Sequence, residues 1–397
     1  MSKSLYSIDF SGAECYNLRY NYSLKYKWGK KMNELEKARE IINEVDAEMA
    51  KLFEKRMYAS ELVAKYKKEH GLSILDEARE NEVVRKNSEM IKNSVYQEYY
   101  AEFIKETMRI SRGYQSRLNE GQRVAYSGIE GAYAYIAARK MYPFAILVSY
   151  SDFESAYKSV ENGECDVCVL PIENSYAGDV STVMDLMFSG NLYVNQVINL
   201  PITHCLMVNE GVELKDVKRV MSHPQALSQC ADYIKAGGYE AVACENTAVS
   251  AKTILEKGLL DTAAIASKET AELFGLDVLA CGINASRTNT TRFLAFSRAQ
   301  NRLNAQSRKM NQSFILMFTV KNEAGALAKT IDIIGAYGFN MRNLHSRPMK
   351  NLLWSYYFYV EAEGTISSQA GQEMLRALGA TCDKLKLVGT YFQEQED

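Results

Sequence analysis

Leu170-Pro171-Ile172-Glu173-Asn174-Ser175 begins like a buried strand and ends in a carboxylate, an amide and a hydroxyl. Cys165-Asp166-Val167-Cys168-Val169 runs straight into it, so an apolar stretch carries polar groups at its carboxyl end. In open α/β sheets the carboxyl ends of strands are where ligands bind. A counterpart lies far downstream, where Asn289-Thr290-Thr291-Arg292-Phe293 leads into a second apolar run, Leu294-Ala295-Phe296. One strand ending in Glu-Asn-Ser says little alone, and the surrounding segments supply the rest.

Around both stretches, from Gly121-Gln122 to residue 298, the chain alternates between strand-like and helical runs. Strand-like runs fall at 123–127, 145–150, 166–172, 192–200 and 204–208, then at 219–222, 241–244, 263–266, 278–283 and 292–297. Helical runs separate most of them, which predicts α/β halves with much parallel pairing. Turn residues at 199–203 and a return near 284–290 predict two lobes with a cleft between them. Ala125-Tyr126-Ser127-Gly128 followed by Gly131-Ala132-Tyr133 is a strand, a glycine turn and a helix start, where backbone N–H groups suit a carboxylate. Ser222-His223-Pro224-Gln225, with Gln229, repeats the arrangement, and Glu245-Asn246-Thr247 does so again with Asn246 as a helix N-cap. His223 beside Pro224 is a turn residue in this reading, not a base.

Pro171-Ile172-Glu173-Asn174-Ser175, Ser222-His223-Pro224-Gln225 with Gln229, and Thr291-Arg292-Phe293, in that order, resemble prephenate dehydratase along this whole region. The resemblance implies two α/β lobes like those of periplasmic binding proteins, holding prephenate in the cleft. Prephenate loses CO2 and its ring hydroxyl to become phenylpyruvate. Aromatisation supplies the driving force, so the protein has to assist hydroxide departure and orient carboxylates. By the same resemblance Thr291 acts at the leaving hydroxyl, with Glu173 and Asn174 beside it. A threonine hydroxyl is a poor free acid, so Thr291 would act through a relay or as a polarising donor. Ser175, Ser222, Gln225, Gln229 and Glu245 would line the cleft, and Arg292 would serve either the substrate or a structural ion pair.

Upstream, the pattern is helical from residue 33 to about 69. Ala38, Ile42, Val45, Met49, Leu52, Arg56, Ala59, Val63 and Tyr66 recur at steps of four and three, a heptad seam. Arg56 is its one cation, which either snorkels at the seam edge or meets an anion. Lys67, eleven residues on, falls on nearly the same face, while Arg39 points about a quarter turn away and could serve a partner chain. After a break at Gly71, a second helix starting near Asp76 carries Asp76 and Glu80 in its apolar stripe, with Arg79 beside them. A third helix, about 95–118, carries Ser111 and Gln115 one turn apart. Polar residues in the packing stripes of all three helices argue for an internal polar site.

This region resembles the all-α chorismate mutase domain. The resemblance implies three helices per chain that interlock in a homodimer. Arg56 and Arg79 would bind substrate carboxylates, and Lys67 and Gln115 the ether oxygen. Asp76 and Glu80 would hold the ring hydroxyl region near Ser111, and Arg39 would reach the other subunit's site. The rearrangement of chorismate to prephenate is pericyclic, so donors placed on the breaking ether bond suffice.

The polar stretch 299–312 reads as a linker. Beyond it, strand 314–320, helix 326–336, strands 340–346 and 353–361, helix 367–378 and strand 386–391 follow the ferredoxin-like βαββαβ order. This resembles the ACT regulatory domain, whose phenylalanine-binding elements correspond to Gly325-Ala326-Leu327 and Ser346-Arg347-Pro348. His345 stands where the family has Glu, and a purely structural dimerisation domain is the alternative.

The expected organisation is therefore an extension at 1–31, an all-α three-helix domain at 32–120, a two-lobed α/β domain at 121–298, a linker at 299–312 and a βαββαβ domain at 313–397. Residues 1–31 lack the apolar core of a signal peptide and are expected to be disordered, or to precede a natural start at Met32. With 47 basic and 49 acidic residues, the balance gives no support for nucleic-acid binding, and no apolar run reaches membrane-spanning length. The eight cysteines have no framework spacing, and the Cys165/Cys168 pair is expected to be buried free thiols in a reducing cytoplasm rather than a zinc or redox site. The combined resemblance implies a cytoplasmic bifunctional enzyme of phenylalanine formation. Chorismate and prephenate are its substrates and phenylalanine its effector, it is a homodimer or larger, and it needs no metal or organic cofactor. Rival readings are a monofunctional dehydratase with a silent mutase domain and a non-catalytic amino-acid sensor.

Overall fold

The computed structural model describes residues 33–286, 288–300, 312–349 and 355–392. The expectations for 1–31 and for most of the 299–312 linker lie outside these residues. The chain forms two compact units, divided between Val63 and Ala64.

The first unit is helical. Helix α1 (Glu34–Glu69) starts at a reciprocal cap: the Asn33 side chain accepts the Glu36 N–H at 2.8 Å and the Glu36 carboxylate accepts the Asn33 N–H at 3.0 Å. Acidic residues fill its first turn and Lys67 and Lys68 its last, as the helix dipole favours. Its heptad seam is bare: Ile42 is 57 % exposed, Met49 41 % and Leu52 64 %. Such a stripe is normally buried against a partner.

The second unit opens with α2 (Glu77–Ser88) and α3 (Ser94–Glu120), which pack on each other. Asp76 differs from expectation. It lies one residue before α2, as the N-cap, and accepts the Arg79 N–H at 2.9 Å, because its short carboxylate satisfies an N–H that the helix cannot.

Then come β1 (Arg123–Ser127), α4 (Tyr133–Met141), β2 (Ile146–Tyr150), α5 (Phe153–Glu161) and β3 (Val167–Asn174). A two-residue strand β4 (Gly178–Asp179), α6 (Ser181–Ser189) and β5 (Tyr193–Pro201) follow. The second lobe holds β6 (Cys205–Val208), β7 (Arg219–Ser222), α7 (Pro224–Gln229), α8 (Ala231–Gly237) and β8 (Glu240–Ala243). It continues with α9 (Thr247–Glu256), β9 (Thr262–Ala266), α10 (Lys268–Phe274) and β10 (Asp277–Cys281), and β11 (Thr290–Ser297) returns to the first lobe. The C-terminal region is β12 (Gln312–Thr319), α11 (Ala326–Ala336), β13 (Asn340–Pro348), β14 (Tyr356–Glu363), α12 (Gln369–Thr381) and β15 (Lys384–Phe392), the expected βαββαβ order.

The second lobe has its own five-stranded sheet, ordered β10-β6-β9-β7-β8. The first lobe does not stand alone. Its strands join those of the C-terminal region in one sheet, β13-β14-β12-β15-β5-β11-β3-β1-β2, with β4 hung on β3. The seam is a parallel contact between Gly389 of β15 and Val194 of β5. Only glycine fits there, since a Cβ on residue 389 would meet the Val194 carbonyl oxygen at 2.0 Å. The core continues across it: Ile315, Met317 and Val388 pack in one cluster with Met187, Leu192 and Val194. The Phe188 and Tyr357 rings stack at 4.4 Å.

Cys165, Cys168 and Cys230 are buried thiols, and burial pushes Cys230 up to about 12. Cys205 and Cys281 depart from expectation and form a disulfide. Strands β6 and β10 place them directly opposite in an antiparallel ladder, 4.0 Å apart at Cα. No helix of the described residues is long and apolar enough to cross a membrane.

Candidate functional site

Between the two sheets of the middle domain lies a cavity of about 900 Å³, lined among others by Asn174, His204, Gln225, Gln229, Glu245 and Thr291. Strand pairing builds its floor. In the antiparallel β3–β11 ladder Thr291 sits opposite Asn174, and Arg292 opposite Glu173. Successive side chains on a strand point to opposite faces. Asn174 and Thr291 therefore share the cleft face, while Glu173 and Arg292 share the face toward the C-terminal region. The register slips past Ile172, a bulge that lets Pro171 and Asn174, three residues apart, both line the cleft.

This alternation decides between the two readings of Arg292 and corrects the expectation for Glu173. Arg292 is a structural ion pair and not a cleft cation. It donates to the Glu361 carboxylate at 2.6 Å and to the Tyr391 hydroxyl at 2.8 Å. Burial opposes its charge, but Glu361 outweighs burial and holds its pKa above the usual arginine value. Glu173 does not line the cavity either. Its carboxylate clusters with Asp179 and His345, their donor atoms all within 4.8 Å. This is the one group among the described residues with metal-ligand composition, and the 2.8 Å bond from His345 Nδ1 to Asp179 already accounts for two of its three members.

Ser222 is also corrected. It is fully buried and donates to the Ile265 carbonyl at 2.6 Å, which ties β7 to β9 instead of facing the cleft. Ser175 holds the entry to β11, donating to the Thr288 carbonyl at 3.1 Å and accepting the Thr290 N–H at 3.0 Å. Asn246 caps α9, accepting the Ala248 N–H at 2.8 Å, and His223 caps α7.

The polar groups of the cleft floor form a directed network. Asn174 Oδ1 accepts two backbone N–H groups, from Tyr176 at 3.0 Å and Ala177 at 2.9 Å, which fixes how its amide is turned. Its NH2 therefore donates to the Thr291 hydroxyl oxygen at 2.9 Å and to Asn289 Oδ1 at 2.9 Å. Asn289 donates onward to Gln229 Oε1 at 3.0 Å, and His204 Nε2 reaches the same oxygen at 2.8 Å. His204 Nδ1 lies 3.2 Å from the Tyr133 hydroxyl. Thr291 thus accepts from Asn174, and its own proton remains to be given into the cavity. Sequence reasoning took Tyr133 only as part of a helix start and passed over His204, because nothing local ties either to Gln229. Only the fold brings them to Gln229.

In the helical part, Lys67 donates from Nζ to the Ile74 carbonyl at 2.6 Å, and Glu80 is bound by Arg112. Ser111 and Gln115 are buried on α3, with Ser111 donating to the Thr107 carbonyl at 3.0 Å and the Gln115 Oε1 buried without a partner among the described residues. The Arg79 side chain turns to Glu82 at 2.7 Å. Arg39 and Arg56 belong to the first unit. Arg112 was not visible as a partner for Glu80, which lies 32 residues away.

In the C-terminal region Gly325 adopts φ +80° and caps α11, which Ala326 and Leu327 open. On β13 the side chains alternate. His345 and Arg347 turn inward, while Ser346 and Pro348 are exposed. Arg347 donates to Ser181 Oγ of the first lobe at 2.7 Å and to the Tyr357 hydroxyl at 3.1 Å.

Residues 124–301 match the family described as prephenate dehydratase, and residues 38–116 the one described as chorismate mutase type II. A plant relative, arogenate dehydratase/prephenate dehydratase 2 of Arabidopsis thaliana, is 34 % identical over 283 residues, covering 68 % of this chain and 72 % of its own. The chain belongs to the prephenate dehydratase family. Its helical part extends the likeness: a bifunctional chorismate mutase/prephenate dehydratase of Buchnera aphidicola is 28 % identical over 372 residues, 90 % of this chain and 96 % of that one. Among solved structures, a prephenate dehydratase of Arthrobacter aurescens in complex with L-Phe superposes with a TM-score of 0.63 at 26 % identity, covering 69 % of this chain and 91 % of that one. A chorismate mutase region and a prephenate dehydratase region thus follow one another here, and the chemistry belongs to that general class.

Proposed function

We propose that the protein converts chorismate to prephenate in its helical domain and prephenate to phenylpyruvate, CO2 and water in its cleft, with phenylalanine acting through the C-terminal region. The observation that carries the second step is the Asn174–Thr291 pair on the cleft floor. Because the amide donates to Thr291 Oγ1, the threonine hydroxyl is directed to donate a hydrogen bond to the departing ring hydroxide, which takes the proton that makes it water from solvent. As CO2 leaves and the ring aromatises, the C–O bond breaks with its electron pair, and hydrogen bonding at that oxygen lowers the barrier. Gln225, Gln229 and Glu245 would orient the substrate on the second lobe's side of the cavity.

For the first step, Lys67 at the end of α1, and Gln115 and the Glu80–Arg112 pair on the packed helices α2 and α3, supply polar groups, and the bare seam of α1 supports a homodimer that completes the site. For regulation, Gly325 to Leu327 and His345 to Pro348 would form the effector elements. The relatives' names also support a second substrate reading in the same cleft: arogenate in place of prephenate, which yields phenylalanine directly.

The test is to feed the pure protein chorismate, then prephenate, then arogenate, and to follow prephenate, phenylpyruvate and phenylalanine with and without added phenylalanine. Phenylpyruvate from chorismate, suppressed by phenylalanine, is expected. Turnover of arogenate in preference to prephenate would replace the substrate assignment, and no turnover of either would discard the dehydration reading.

A further inference from the structure

We infer that His204 is a positioning residue for dehydration: the proton on its Nε2 sets the direction of the Gln229–Asn289–Asn174 amide chain, and that direction leaves the Thr291 hydroxyl free to donate. The inference rests on the dehydratase reading of the cleft and adds a residue that this reading does not require. His204 is 2 % exposed and sits at the crossing from the first lobe to the second. Its backbone belongs to the same crossing, since the Gly282 N–H donates to the His204 carbonyl at 3.0 Å and Asn284 Oδ1 accepts the His204 N–H at 3.2 Å.

The argument is one of hydrogen-bond parity. Starting from the fixed end, the Tyr176 and Ala177 N–H groups force Asn174 to present its NH2 to Asn289, so Asn289 must present Oδ1 there and its NH2 to Gln229. Gln229 must then offer its oxygen, and an oxygen 2.8 Å from His204 Nε2 requires a proton on that nitrogen. Nδ1 is left as the acceptor facing the Tyr133 hydroxyl, which has the Thr203 carbonyl at 3.2 Å as its other acceptor. Burial holds the imidazole's pKa below the ordinary histidine value, against the bond to Gln229, so the ring is neutral with a single proton to place. With the proton on Nδ1 instead, Gln229 would turn its NH2 to His204 and leave Asn289 with a donor facing a donor. Relief would come only by turning Asn289 and then Asn174, away from the two backbone donors that hold it. Each reversed contact leaves a buried polar group unsatisfied. The proton on His204 and the two N–H groups of the β3–β4 turn thus hold the chain from its two ends.

The side-chain amide of Gln and the imidazole Nε2 reach similar positions, whereas Asn reaches only the Nδ1 position and Leu neither. Full-length His204→Gln, His204→Asn and His204→Leu are assayed for dehydration and mutase turnover, with thermal melting as the folding control. His204→Gln is expected to keep kcat within about threefold of wild type, while His204→Asn and His204→Leu lose about 100-fold in kcat with KM nearly unchanged, the scale of a small misplacement at a reacting group. Mutase turnover should not move. A packing role would predict the reverse order, with Leu tolerated and Gln not. That order, or a loss confined to KM, overturns the inference. If His204→Leu fails to fold, His204→Gln against His204→Asn decides. If the wild type turns over neither prephenate nor arogenate, the dehydratase reading fails separately. The proton is then read directly by nitrogen-15 spectroscopy of the four histidines: a neutral Nε2–H ring at His204 is expected, and an Nδ1–H or charged ring overturns the inference.

Discussion

Glu361→Gln exchanges one oxygen for an NH2 group in a carboxylate whose side chain is 3 % exposed and which accepts from Arg292, Tyr391 and Tyr359. The change keeps the shape and removes the charge that neutralises Arg292, whose side chain is itself 22 % exposed. Breaking a buried pair from one side costs about 3–5 kcal/mol, because the remaining charge stays desolvated. Arg292 keeps some access to water and the tyrosine hydroxyls remain, so the lower end, about 3 kcal/mol, applies. At about 2.1 cal/mol/K per residue over the unit Ala64–Asp397, each kcal/mol moves the melting temperature by about 1.4 °C, so it should fall by about 4 °C. Arg292 follows Thr291 on β11, so the loss should also reach the cleft, lowering dehydration about tenfold while mutase turnover holds. The assay is a double-mutant cycle of thermal melts: Glu361→Met, Arg292→Met and both together. Two apolar replacements remove both charges, so the double variant should be more stable than the sum of the singles by at least about 1 kcal/mol. A shift below about 2 °C for Glu361→Gln, or additive singles, would refute the claim that this pair anchors the strand.

Three further outcomes are expected. Thr291→Ala should abolish dehydration and spare the mutase, and Lys67→Ala should do the opposite, each by at least about 100-fold in coupled assays of the two steps; a variant losing both would show that the two sites are not separable. Burial lowers Lys386 from an ordinary 10.5 to about 8, with Nζ donating to the Met187 carbonyl at 2.6 Å. Between those pH values the unfolded chain holds more protons than the folded one, so this group makes stability rise with pH across that window. Denaturation of wild type against Lys386→Met at several pH values should therefore show the variant lacking that rise, and parallel curves would sink the assignment. Finally, the Cys205–Cys281 bond closes a separation of 76 residues, worth up to about 4.5 kcal/mol on chain-entropy grounds. Cys281→Ser should lower the denaturation midpoint in oxidising buffer and match wild type under reductant; no difference in oxidising buffer would argue against the bond.

The alternation of strands and helices was legible because each strand run carries its own apolar pattern between turn residues. Strand β4 was not, since Gly178 and Asp179 are too short to show any period. Element order survived into the C-terminal region for the same local reason. What the pattern could not supply was which face of a strand meets the ligand. Glu173 beside Asn174, and Arg292 beside Thr291, are adjacent in sequence and therefore opposite in space, and a polar cluster in the chain hides that division. Ser222 shows the same limit, because a hydroxyl at a strand end serves a ligand or a neighbouring carbonyl equally well on paper. The Arg292–Glu361 pair and the disulfide join residues 69 and 76 positions apart, and no local pattern reports such distances. His204 escaped notice because its role lies in its hydrogen-bond partners.

The seam at Gly389 and Val194 also bears on what happens if the C-terminal region is removed. Strand β5 would then keep β11 on one side and present its other edge, Tyr193–Pro201, to solvent. An uncovered edge of this kind, next to an apolar surface stripped of Ile315, Met317 and Val388, is a template for pairing with another chain. Truncated forms should therefore stick to one another before they lose their fold, an outcome that would not depend on any ligand of the C-terminal region.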